Sequence, residues 1–102
     1  MIKTLLSKNE YRSLLRVELY VCDEFKVDRD ELYSNRRDHA YVVARWVVWY
    51  LLVEKFKIPA SSVGRAYKRS HTTILHGVKQ IKKKDWEAEL EKQLKAFWKM
   101  PK

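Results

Sequence analysis

Apolar residues recur at helical spacing through most of the chain, and short polar runs cut that pattern into segments. Leu14, Leu15, Leu19, Cys22 and Phe25 follow Ser7-Lys8-Asn9-Glu10, a capping-box sequence in which Ser7 caps and Glu10 reaches back. The spacing predicts a first helix to about Phe25. Asp28-Arg29-Asp30-Glu31 then starts a short helix through Leu32 and Tyr33, and Ser34 to Asp38, SNRRD, reads as a loop. Asp38 is placed to cap a third helix reaching about Phe56. That helix is apolar nearly all round, with Val42, Val43, Val47, Val48, Leu51 and Leu52 beside Trp46, Trp49 and Tyr50. Its β-branched content would suit a strand, but it lacks alternation and is too long for one. A helix without a polar face is buried on several sides, so this one is expected at the centre of the core.

Pro59, in KIPASS, ends the central helix. A short helix then turns Ala60, Val63 and Ala66 inward and stops near Tyr67. Ser70 caps the next helix, with Ile74, Leu75, Val78 and Ile81 as its buried stripe. Asp85 caps a last one, Trp86 to about Trp98, with Leu90, Leu94 and Phe97 on one face. The expected fold is therefore all-α, a bundle of about six helices forming a single domain over residues 1–102.

Composition narrows the class. Two Gly and two Pro favour helices with short connections over an all-β chain of tight turns. The lone Cys22 allows no intramolecular disulfide and no CxxC metal knuckle, and points to a reducing compartment. The start of the chain does not resemble a signal peptide. Its longest apolar stretch, Ala40 to Val53, contains Arg45 and falls short of the ~20 residues a bilayer span needs. A cytoplasmic protein with no membrane association is expected.

Charge changes the picture more. The formal net charge is +9, and Lys55 to Lys84 holds nine Lys or Arg and no acid. The remaining residues carry thirteen basic and thirteen acidic side chains, so the whole excess sits in one segment. A one-sign segment on a balanced body is the footprint of a polyanion-binding surface; the plainer reading is a basic face that aids solubility.

Within that segment, Ala60 to Tyr67 and Ser70 to Lys84 have the proportions of a helix-turn-helix. The first turn of the second helix would then enter the major groove, and it carries Ser70, His71, Thr72 and Thr73. Hydroxyls and imidazole can bond base edges or phosphates, and a threonine methyl can pack on a thymine methyl. Lys68 and Lys79 join this set as basic residues of the same segment. Arg36 and Arg37 are either solvated loop charges or DNA contacts. Arg45 either pairs with an acid such as Glu18 or Asp23 or emerges at the DNA face. Lys82, Lys83 and Lys84 either complement the helix dipole or meet phosphates. His71 and His76 stand five apart rather than the four that zinc on a helix prefers, so no metal is expected. His76 is expected at the core or its edge. No third group orients a Ser70–His71 pair, so no catalysis is expected. Gly77, in mid-helix, costs about 1 kcal/mol against Ala and suggests a close helix–helix approach.

The block SHTTILHGVKQIKK resembles the signature of the C-terminal, duplex-binding domain (domain IV) of the bacterial replication initiator DnaA, Arg-Asp-His-Thr-Thr-Val-Leu-His-Ala. Arg69, His71, Thr72, Thr73, Leu75 and His76 match it, and Ile74 replaces its Val. LYSNRRDHAYVVARWVVWYLLVEKF is similar to the family's basic loop and long helix, PASSVGRAY to its Pro-Glu-Ile-Gly turn, and LLRVELYVCDEFKVDRDEL to the helix leading into the domain. The resemblance covers about residues 14–84 and leaves 85–102 as an additional C-terminal helix. It implies a TrpR-like helix-turn-helix fold that binds short AT-rich duplex boxes. On that basis Arg37 enters the minor groove with Arg36 beside it, and His71 and Thr72 reach bases in the major groove. Arg69, Thr73, Arg45 and Pro59 lie on or near phosphates. A narrow AT-rich minor groove concentrates negative potential and attracts arginine. Two departures bear on which bases are read: Ser70 replaces the family's Asp, and the Gly-Gly before the motif is shortened to Tyr67-Lys68-Arg69.

The resulting expectation is a sequence-specific, non-enzymatic double-stranded DNA-binding module in replication control or transcription regulation, without cofactor. No GxxxxGK[ST] occurs, so no nucleotide is expected; a free-standing module of a phage or mobile element would fit. The alternative is an adaptor that reuses the fold to bind an acidic protein partner, or to self-associate, through its C-terminal helix.

Overall fold

The computed structural model describes residues 7–34, 37–83 and 86, and all their regular structure is helical. Helix α1 (Lys8–Phe25) begins at the expected capping box: Glu10 N–H donates to Ser7 Oγ at 3.2 Å, and Ser7 N–H donates to Glu10 Oε1 at 3.1 Å. A 3₁₀ turn (Arg29–Tyr33) leads to α2 (His39–Tyr50), which continues as a π turn (Leu51–Lys55). Helices α3 (Ala60–Tyr67) and α4 (His71–Lys83) complete the described fold. The six expected helices therefore resolve as four α-helices and one 3₁₀ turn. The last, starting at Trp86, lies outside the described residues apart from Trp86, which packs on the core.

The central helix is α2, as its apolar circumference requires. Val43, Ala44, Val47, Val48, Trp49 and Tyr50 are all buried, and α2 packs on both α1 and α4. The π turn at its end carries Leu51 and Leu52, both buried in the core. Asp38 occupies the N-cap of α2 but makes no side-chain capping bond there.

Two apolar residues expected inside are outside. Leu19 is 60% exposed and Leu75 46% exposed. On α1 the inward face is Leu14, Val17, Glu18 and Val21. A carboxylate thus occupies a core position, and Leu19, the next residue in sequence, is turned outward. On α4 the inward stripe runs through Ile74, Gly77, Val78 and Ile81.

The glycine at Gly77 is explained by the contact it permits. A Cβ there would lie 2.6 Å from Trp46 Cδ1 and 2.7 Å from Trp49 Cε3, so α4 sits on the two indoles without room for a methyl group. Gly64 plays the same part inside the α3–α4 unit: a Cβ would meet Arg69 O at 2.5 Å. The Gly64 carbonyl accepts from Arg69 N–H at 2.8 Å, closing the turn. Lys68, in that turn, is left-handed at φ 56° without being glycine.

Candidate nucleic-acid interface

The sequence of α3, turn and α4 fixes the front of the interface. Ser70 caps α4, as expected: its Oγ accepts from Thr73 N–H at 3.2 Å and lies 3.0 Å from Thr73 Oγ1. The cap holds the first turn of α4 with His71, Thr72 and Thr73 all exposed. Lys68 and Lys79 are exposed on either side of that turn in the chain, and Pro59 is exposed at the N-cap of α3.

Beside this turn lies a cleft of about 240 Å³. Arg37, Arg45 and Arg69 bring three guanidinium groups to it, Thr73 and His76 come from α4, and Val42, Trp46 and Trp49 supply apolar wall. None of these lining residues is acidic. Arg69 Nη2 donates to the Ser34 carbonyl at 2.9 Å, and Arg45 Nη1 donates to the same oxygen at 3.3 Å. The Arg69 guanidinium carbon also stands 6.0 Å from the centre of the Trp49 ring, at the outer edge of cation–π range. One backbone oxygen therefore gathers arginines from α2 and from the helix-turn-helix.

The electrostatics match the geometry. Burial pushes the Arg45 pKa below the ordinary arginine value, and the like charges of Arg69 and Arg37 lower it further. Arg45 is only 6% exposed. Concentrated positive charge on a partly desolvated surface favours an anion in the cleft.

Of the two acids offered to Arg45, Glu18 is engaged with Arg29 Nε at 2.8 Å, and Arg45 lines the cleft. Arg37 lines the cleft as well, while Arg36 lies outside the described residues. His76 stands at the rim with its ring edge-on to Trp46, centroids 6.3 Å apart. Its relation to Thr73, three residues earlier on the helix, is the signal that places it on that face. Lys82 takes a third course, pairing with Glu54 at 3.0 Å across a partly exposed surface. The Ser34 carbonyl is invisible to sequence reasoning, because a backbone acceptor carries no side-chain signal.

Other chemistry is weakly represented. Among the described residues no group of three or more His, Cys, Asp or Glu could hold a metal ion. Burial, reinforced by the Glu18 charge, pushes the Cys22 thiol up to about 11, far from the range of a reactive thiolate. No helix among the described residues is long and apolar enough to cross a membrane.

The short turn between α3 and α4, the exposed front of α4 and the arginine cleft behind it define a helix-turn-helix protein. The family model for the bacterial dnaA protein helix-turn-helix matches residues 16–81, and the chain belongs to that family. It is similar to the chromosomal replication initiator protein DnaA of Mycoplasma pneumoniae, 36% identical over 63 residues, 62% of this chain and 14% of the relative. The DnaA of Onion yellows phytoplasma is 30% identical over 87 residues, 84% of this chain and 17% of the relative. That of Thermomicrobium roseum is 37% identical over 62 residues, 60% of this chain and 13% of the relative. The chain thus spans less than a fifth of the length of these relatives. No solved structure matches it.

Proposed function

We propose that this protein binds double-stranded DNA in a sequence-specific manner, at AT-rich boxes of the kind the DnaA family reads, in replication control or transcription regulation. The observation that carries this reading is the arginine cleft lying beside the exposed first turn of α4. Phosphates occupy the cleft and positive rim, and His71 and Thr72 meet base edges in the major groove. Arg37 continues the basic surface toward the adjacent minor groove. Membership of the DnaA helix-turn-helix family supports the same reading. The adaptor alternative rests on a C-terminal segment outside the described residues, so no specific observation favours it.

The test is selection from a random duplex library at low salt, followed by affinity measurements across a salt series. Enrichment of one AT-rich motif, with affinity falling steeply as salt rises, is expected. Absence of any duplex retention at low salt overturns the proposal.

A further inference from the structure

Glu18 is a fully buried carboxylate on α1, far in sequence from the helix-turn-helix. Three groups converge on it, two from the 3₁₀ turn and one from the end of α3. Arg29 Nε donates to Oε1 at 2.8 Å, and the hydroxyls of Tyr33 and Tyr67 both donate to Oε2, that of Tyr67 at 2.5 Å. The two tyrosine rings stack on one another, centroids 4.4 Å apart and 13° from parallel. Trp49, a wall of the arginine cleft, closes the edge of Tyr67 at 5.7 Å.

The positions of the two tyrosines give the cluster its meaning. Tyr33 ends the 3₁₀ turn and directly precedes Ser34, whose carbonyl holds Arg45 and Arg69. Tyr67 ends α3 and directly precedes the turn containing Lys68 and Arg69. One carboxylate therefore fixes both the backbone that leads into the basic loop and the start of the turn that carries Arg69. A buried polar cluster has one set of partners in one geometry, whereas apolar surfaces can slide past each other.

We propose that Glu18 is a positioning residue for the nucleic-acid interface: through Tyr33 and Tyr67 it holds the Ser34 carbonyl and the helix-turn-helix in one register, so that the arginine cleft and α4 engage the same duplex. This rests on the duplex-binding reading above. Glu18 itself touches no DNA. It acts through the Ser34 carbonyl and the α3–α4 turn, and removing it loosens the arginine cleft while leaving the exposed side chains of α4 in place.

The experiment uses Tyr33→Phe, which removes one hydroxyl, with Glu18→Gln as a second variant should the first not fold. Each is assayed at a temperature well below its own unfolding transition, so that lower stability alone leaves binding unchanged. Affinity for the selected duplex is expected to fall several-fold. The slope of log affinity against log salt is expected to become shallower by about 0.9 for each phosphate no longer neutralised. The base preference read by Thr72 is expected to persist. A folded variant with wild-type affinity and salt slope overturns the positioning role while leaving duplex binding intact. Failure of the wild-type protein to bind any duplex overturns both.

Discussion

The hydroxyl of Tyr67 donates to the carboxylate of Glu18 at 2.5 Å, joining residues 49 positions apart in a buried contact. Glu18 is 0% exposed, and charge in such a place persists only when its hydrogen-bonding capacity is filled. Here Arg29, Tyr33 and Tyr67 fill it.

Replacing Glu18 by Ala leaves two tyrosine hydroxyls without their acceptor and Arg29 without its counter-charge. The expected loss is roughly 3 kcal/mol, toward the low end for breaking a buried pair because Arg29 is 34% exposed and screened by solvent. Urea unfolding followed by circular dichroism measures it; a loss under about 0.5 kcal/mol would mean that the cluster contributes little net stability.

Alkaline titration probes the same cluster from the other side. Burial, then the Glu18 charge, raises the pKa of Tyr33 and of Tyr67 above the ordinary tyrosine value. A pKa raised in the folded state means the folded protein holds the proton more tightly than the unfolded chain. The corresponding stability is full below the unfolded value of about 10 and is lost as pH rises beyond it. Tyrosinate absorbance should show Tyr33 and Tyr67 ionising only with unfolding. Tyr67→Phe should remove part of the pH-dependent loss, and ionisation of both groups near pH 10 in folded protein would contradict the assignment.

Gly77→Ala places a methyl within 2.7 Å of both Trp46 and Trp49, and the buried Trp49 cannot retreat without disturbing the core. Alanine is the better helix former, so propensity alone predicts a gain of about 1 kcal/mol. Overpacking opposes it with about 1–3 kcal/mol, and the expected net effect is destabilisation. A thermal melt decides the sign.

Two substitutions separate base reading from phosphate attraction. Thr72→Ala should cost about 1–3 kcal/mol of discrimination at one base position, with the salt slope unchanged. Lys79→Ala should weaken binding to all duplexes alike and flatten the slope by about 0.9 if it meets one phosphate. Affinities for the selected box and its single-base variants, measured at several salt concentrations, test both.

Much of this arrangement is legible in the chain. The capping box at Ser7 and Glu10, the central placement of α2, the break at Pro59 and the Ser70 cap all follow from local rules, and each is present. These depend on residues within a turn or two of each other, where spacing specifies geometry. The close approach at Gly77 is also readable, because a glycine in a helix is costly unless a neighbour needs the room.

Local pattern could not assign partners. Leu19 reads as a core residue, yet it is exposed while its neighbour Glu18 is buried, because burial depends on what reaches the site from elsewhere. Only the packing of α1 against residues after position 28 brings Arg29, Tyr33 and Tyr67 to that carboxylate. The arginine cleft is of the same kind. Sequence showed a basic segment, an arginine pair in a loop and Arg45 in the helix after it, but the shared Ser34 carbonyl is what sets Arg45 and Arg69 side by side. Short-range periodicity and capping thus determined the helices and the charged segment. The tertiary structure alone chose which charged side chains are buried in the core and which line the cleft, since that choice depends on contacts between residues far apart in the chain.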